Sequence, residues 1–136
     1  MAFWLLKTEP EDYSYERLLK DKRTVWDGVG NNQALLHMRK AKKGDRALIY
    51  HTGDVKAAVG LATLTSDAYP DPKDEAGKLV VFDVKPERAL AKPVTLKDVK
   101  ADAKFATFDL VRNSRLSVMP VSDAHWKLLM SMAGEK

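Results

Sequence analysis

The hydrophobic period changes at residue 46, and that change restricts the fold more than any other feature. Residues 46–52 (RALIYHT) and 57–65 (AAVGLATLT) read as two strands, separated by Gly53-Asp54, a hairpin signal. Residues 79–85 (LVVFDVK) alternate and are β-branched, and residues 87–90 extend that strand past a bulge at Pro86. Residues 115–118 (RLSV) read as a short closing strand. Strands that mostly follow one another favour an α+β fold with a curled antiparallel or mixed sheet over a parallel sheet of βαβ units.

Helical signals lie mainly upstream of residue 46. The apolar run FWLLK at residues 3–7 reads as a buried strand ending near Pro10. Ser14 caps a helix that carries Tyr15, Leu18 and Leu19 on one face. VWDGVGNN at residues 25–32 is a turn-rich loop in which Gly28 and Gly30 are suited to positive φ. Asn31 or Asn32 caps a second helix from Gln33 to about Lys42, burying Ala34, Leu35, Met38 and Ala41. Residues 69–77 (YPDPKDEAG) read as a loop, and residues 95–99 as one helical turn. Ser122 or Asp123 caps a last helix to about residue 133, with Trp126, Leu129, Met130 and Ala133 inward and Gly134 at its stop. The sum is five to six strands and about three helices in one domain, residues 1–136.

Composition removes several chemistries. The chain has no cysteine, which excludes a disulfide scaffold, a thiolate metal site and a cysteine nucleophile. No apolar run approaches the roughly 20 residues of a membrane span. MAFWLLKTEPEDY is too short in its apolar part and too acidic beyond it to read as a signal peptide. A cytoplasmic protein without membrane attachment is expected. The three histidines, His37, His51 and His125, show no metal-ligand spacing, and no GxSxG elbow or phosphate-binding glycine loop is present. GVGNNQ at residues 28–33 is not a dinucleotide fingerprint. No metal or cofactor is expected.

The net charge of +4 is unevenly placed. Residues 17–46 hold nine lysines and arginines against three acids, whereas residues 1–16 are acidic. Such a cluster suits phosphate attraction, and equally a solvated surface. Among the tryptophans, Trp4 and Trp126 sit in apolar patterns and read as core. Trp26, in a glycine-containing loop, is either a plug over the core or a surface for base stacking. Base recognition then needs polar edges, for which Glu9, Asp27, Asn31, Gln33 and Thr52 are candidates.

WLLKTEP at residues 4–10, WDGV at 26–29, NxQA at 31–34, KKGDRALIYHTG at 42–53, VG at 59–60, YPD at 69–71 and RLSVMPV at 115–121 together resemble the EVE domain family. That family includes bacterial stand-alone proteins and the eukaryotic thymocyte nuclear protein, and is related to YTH domains. The resemblance runs nearly end to end. It implies a PUA-like fold, a curled mixed or antiparallel β-barrel with peripheral helices. It also implies a non-catalytic nucleic-acid-binding module that accepts a flipped, modified base in DNA or RNA, with methylated or hydroxymethylated cytosine in DNA the leading candidate. A monomer is expected, with a weak dimer as the alternative.

Carried over by motif, Lys7, Thr8 and Glu9 form one pocket wall, and Trp26 is the cage aromatic with Asp27 beside it. Asn31 and Gln33 open a helix facing nucleic acid. Tyr50, His51 and Thr52 make the floor, and Arg115 and Ser117 belong to the closing motif. The family's usual GVRN and QARN are altered here: Gly30 and Leu35 stand where arginines are expected, and Leu36 follows in place of the asparagine. Arg39, Lys40, Lys42 and Lys43 remain as the expected phosphate contacts, and weaker binding with a shallower salt dependence follows if the missing arginines touch phosphates. Two other functions use the same residues. A hydrolase of modified nucleotides would pair His51 with Asp27 or Glu9 within about 3 Å, or across one water. A nucleoside-binding sensor would use the slot without phosphate contacts.

Overall fold

The computed structural model describes residues 1–135. These form seven strands and five α-helices: β1 (Phe3–Thr8), α1 (Tyr15–Asp21), β2 (Thr24–Trp26), α2 (Asn32–Met38), β3 (Arg46–His51), β4 (Ala57–Leu64), β5 (Tyr69–Pro70), β6 (Val80–Thr95), α3 (Leu96–Ala101), α4 (Asp109–Arg112), β7 (Val118–Val121) and α5 (Asp123–Met132). The sheet runs β2-β6-β4-β3-β1-β7, with β5 paired to β6 off this path. β1 and β3 are parallel and the other pairs antiparallel, so the sheet is mixed. β2 and β7 stand at its two ends, so the curled sheet is an open half-barrel.

The curl has a local cause. β6 is sixteen residues long, and its register against β4 shifts between Ala58 and Gly60 and again between Leu61 and Ala62. Each irregularity bends the strand and increases its twist. Pro86 sits opposite Ala62 at the second shift, where a missing N–H costs little. The core lies inside the curl, where Leu5, Leu6, Leu48, Ile49, Leu61 and Phe82 are fully buried. α1 docks through Tyr15, whose ring occupies the space a Cβ at Gly60 would need. The Tyr15 hydroxyl donates to the Leu61 carbonyl at 2.6 Å.

A buried carboxylate secures the far end of the sheet. Asp45 accepts hydrogen bonds from the Trp4 indole (2.9 Å), the Lys42 amide (2.9 Å) and the Ala2 amide (3.0 Å). That network also ends the second helix early. α2 stops at Met38 and not near Lys42, because the chain must leave the helix to bring the Lys42 amide to Asp45.

Other expectations shift as well. The loop expected around Trp26 is a strand, β2, paired to β6. The closing strand starts at Val118, since the register puts Val118 opposite Leu6 and leaves Arg115 and Leu116 in the preceding turn. Leu19 faces solvent, on the outer side of a two-turn helix whose inner side is filled by Tyr15 and Leu18. Residues 69–70 pair as a short strand. Residues 95–99 form the start of α3, capped by Thr95. A 3-10 turn and α4 add helical structure that periodicity does not announce, burying Phe105, Phe108 and Leu110.

Candidate nucleic-acid interface

The local fold of residues 8–13 sets one wall of a cleft. Glu9-Pro10-Glu11-Asp12 is a turn closed by the Asp12 amide donating to the Glu9 carbonyl at 2.9 Å, with proline at its favoured second position. The Thr8 hydroxyl donates to the Tyr13 carbonyl at 2.8 Å and tightens it. The second wall is β2 and the loop after it, where Gly28 holds φ +77 and lets the chain turn beside Trp26. Gly30 does not take the left-handed conformation its type permits. Ser117 closes the third side, its carbonyl accepting from the Lys7 amide at 2.9 Å.

These walls enclose an open cleft of about 530 Å³. Six residues singled out from the sequence line it: Lys7, Thr8, Glu9, Trp26, Asp27 and Ser117. Asp12, Tyr13, Thr24, Val25 and residues 28–30 line it too and were not anticipated. Asp12 and Tyr13 follow the TEP motif within one turn, and Val25 and Val29 flank Trp26, so adjacency was the available signal.

Trp26 is both things the sequence left open. Its side chain is buried, at 6% exposure, yet it borders the cleft. It is a wall continuous with the core and not an indole standing in solvent. Lys7 supplies the cation. Its Nζ donates to the Ser114 carbonyl at 2.9 Å and lies 5.8 Å from the centre of the Tyr50 ring, and burial pushes its pKa down. Glu9 supplies a fixed carboxylate, because Thr52 donates its hydroxyl to Oε2 at 3.1 Å. The backbone of Gly53 packs so close that a Cβ there would lie 2.8 Å from Glu9 Oε1. Tyr13 donates to Asp21 at 2.9 Å, and its pKa is raised chiefly by burial.

The remaining candidates lie off the cleft lining. Asn31 spends its side-chain oxygen as the cap of α2, accepting from the Ala34 amide at 3.0 Å. Gln33 is exposed on the first turn of that helix. Tyr50 is buried beneath Lys7, one layer under the surface. Thr52 acts through Glu9. Arg115 is exposed and, among the described residues, forms no ion pair with Asp109 or Asp123. The expected phosphate contacts Arg39, Lys40, Lys42 and Lys43 lie toward the other end of the sheet. Thr8 pairs with His51 at the cleft end of β3, whereas Lys42 and Lys43 precede Arg46 at its start. That strand alone separates them from the cleft by roughly 16 Å at about 3.3 Å per residue. Arg39 turns to the Lys78 carbonyl at 3.0 Å.

His51 is not placed for acid–base work. It is buried, at 4% exposure, and its Nε2 accepts from the Tyr15 amide at 2.9 Å. That amide opens α1 and has no helical acceptor of its own, so the imidazole serves as a cap. Burial pushes the His51 pKa down, with Glu16 and Glu9 opposing. Among the described residues no hydrogen bond or ion pair joins it to Glu9 or Asp27, and no group of three potential metal ligands occurs. No helix of the described residues is long and apolar enough to cross a membrane.

Comparison with known proteins agrees with this architecture. Residues 2–132 match the model of the EVE domain. Human thymocyte nuclear protein 1 is 28% identical over 165 residues, covering 96% of this chain and 73% of that protein. The NMR structure of Rpa0253 from Rhodopseudomonas palustris superposes with a TM-score of 0.93 at 43% identity, over 98% of this chain and 94% of that one. The crystal structure of human THYN1 protein in complex with DNA containing 5-methylcytosine superposes with a TM-score of 0.88 at 27% identity, over 100% of this chain and 99% of that one. By sequence along nearly its whole length, and by fold, the chain belongs to the EVE domain family.

Proposed function

We propose that this protein is a non-catalytic reader of a modified cytosine in DNA, taking the extruded base into the cleft beside Trp26. The observation that carries the reading is the cleft itself: an aromatic wall, a fixed carboxylate at Glu9 with the exposed carboxylate of Asp27 beside Trp26, and a half-buried ammonium at Lys7, open on one side. Carboxylates repel phosphates but accept well from base N–H groups, so they suit the edge of a base and not the backbone. The crystal structure of human THYN1 with 5-methylcytosine DNA supports the choice of ligand. A methyl group buried on the apolar wall is worth about 0.8 kcal/mol, which is about a fourfold preference over plain cytosine.

The test is binding to two duplexes that differ only in one central 5-methylcytosine, at two salt concentrations. A preference for the methylated duplex that persists at the higher salt is expected, because the methyl contact is not ionic. Trp26→Ala would open a cavity in the core, so Trp26→Phe and Glu9→Gln are the informative variants. Both should lower the preference; Glu9→Gln should leave the melting temperature nearly unchanged, and Trp26→Phe should lower it modestly without unfolding the protein. Equal binding of both duplexes by the unaltered protein would reject the reading. Tighter binding of an RNA strand carrying the same methylated base would move it to RNA.

A further inference from the structure

The cluster of basic residues most prominent in the sequence lies away from the cleft, which raises the question of what meets the DNA backbone there. A row across the sheet answers it. Thr8 pairs with His51, His51 with Ala57, and Ala57 with Thr95. Three strand spacings, roughly 14 Å, therefore carry the sheet from the cleft wall to the end of β6. At that end lies a second cavity, of about 430 Å³, bordered by Lys56, Lys97 and Lys100, with Asp54 the one acid on its lining among the described residues.

The two hollows are joined by the β3–β4 turn. Gly53 packs against the Glu9 carboxylate in the first, and Asp54, the next residue, borders the second. All three lysines are exposed, and none forms an ion pair among the described residues. Lys56 holds φ +49, a conformation that non-glycine residues seldom adopt, so the turn imposes that position on it. Its carbonyl accepts from the Leu96 amide at 2.8 Å, which ties the turn to α3. A span of roughly 14 Å matches about four steps of a nucleic-acid strand at 3.4 Å each.

We propose that Lys56, Lys97 and Lys100 form the phosphate-contacting surface of this protein, holding the backbone of the strand whose extruded base occupies the cleft. The assignment rests on the base-reading function and says where on the molecule the rest of that strand runs. It replaces Arg39, Lys40, Lys42 and Lys43 in this role, because those residues lie toward the opposite end of β3.

The test strips each cluster of charge separately: Lys56→Gln/Lys97→Gln/Lys100→Gln against Arg39→Gln/Lys40→Gln/Lys42→Gln/Lys43→Gln. All seven side chains are exposed, so both variants should fold, and an unchanged melting temperature confirms it. Affinity for the methylated and plain duplexes is measured across a salt series. Each phosphate contact contributes about 0.9 to the slope of log affinity against log salt. The triple variant should lose about 2–3 from that slope and bind both duplexes more weakly, with the ratio between them retained. The quadruple variant should change the slope by less than about 1. An unchanged slope in the triple variant overturns the proposal. A reduced slope in the triple variant, together with no methyl preference in the unaltered protein, upholds the phosphate surface and rejects the base-reading function. Failure of the unaltered protein to bind either duplex overturns both.

Discussion

The backbone N–H of Tyr15 donates to Nε2 of His51 at 2.9 Å, and this bond requires a neutral imidazole with its proton on Nδ1. Protonation would turn the acceptor into a donor facing a donor. Because burial lowers the folded-state pKa of His51, folding favours the neutral form. Its stabilisation is present above the ordinary histidine pKa of 6.5 and is lost as pH falls through the lower folded value. Thermal stability should therefore decline from pH 7 toward pH 5. His51→Gln, whose side-chain carbonyl can still accept from Tyr15, should flatten that decline. His37 is also held low by burial and keeps its share in both proteins, so the difference between the two melting curves isolates His51. His51→Ala leaves the amide unpaired and should cost roughly 1–3 kcal/mol at neutral pH.

Gly60 is a contact residue and not a flexible one. A Cβ there would overlap the Tyr15 ring, so Gly60→Ala must displace the ring that docks α1. Overpacking of this kind costs about 1–3 kcal/mol. Denaturant unfolding should show that loss. Adding Tyr15→Leu should recover part of it, giving a favourable coupling energy in a double-mutant cycle.

Asp45 is buried and accepts from three N–H groups. Asp45→Ala removes every acceptor at once, and the buried Trp4 indole loses the one acceptor it has among the described residues. Unfolding free energy should fall by more than about 3 kcal/mol. Asp45→Asn keeps the shape but turns an NH2 toward donors, so a smaller loss, about 1–3 kcal/mol, is expected.

Thr52 reaches the cleft from behind: its hydroxyl holds Glu9 Oε2 at 3.1 Å and its amide donates to the Thr8 carbonyl at 3.0 Å. Thr52→Val retains the shape and deletes the hydroxyl. If Glu9 must be held still to accept from a base, affinity for the methylated duplex should drop about fivefold, corresponding to about 1 kcal/mol for one hydrogen bond. The melting temperature and the salt slope should barely change. Full affinity in Thr52→Val would mean Glu9 needs no such support.

Much of the architecture is legible along the chain, because its signals are local. Apolar runs at residues 46–52 and 57–65 and alternation at residues 79–85 mark strands, the Gly53-Asp54 pair marks the hairpin between the first two, and Ser14, Asn31 and Ser122 each cap the helix they precede. Pro86 marked an irregularity in the strand that the register confirms. The short helices around Phe105 and Leu110 leave no mark in the sequence, because one or two turns carry too little periodicity to stand out from irregular chain. β2 reads as a loop in the sequence because three residues cannot show alternation.

The site divides along the same line. Sequence by itself determined the family, a curled sheet in an α+β fold and the motifs that supply the cleft, since these follow from local pattern and motif order; the parallel pairing of β1 with β3 that makes the sheet mixed came from the structure. Only the tertiary structure decided which of those motif residues share a surface. Register places Thr8 beside His51, and Lys42 and Lys43 beyond the far end of the same strand, so the two ends of the single motif at residues 42–53 serve different places on the molecule. It also turned His51 from a candidate acid–base group into a helix cap, and Trp26 from a loop aromatic into a core residue bordering a cleft. The physical reason is that burial and hydrogen-bond partners are supplied by chain far away in sequence, and these decide whether a polar or aromatic side chain remains available to a ligand.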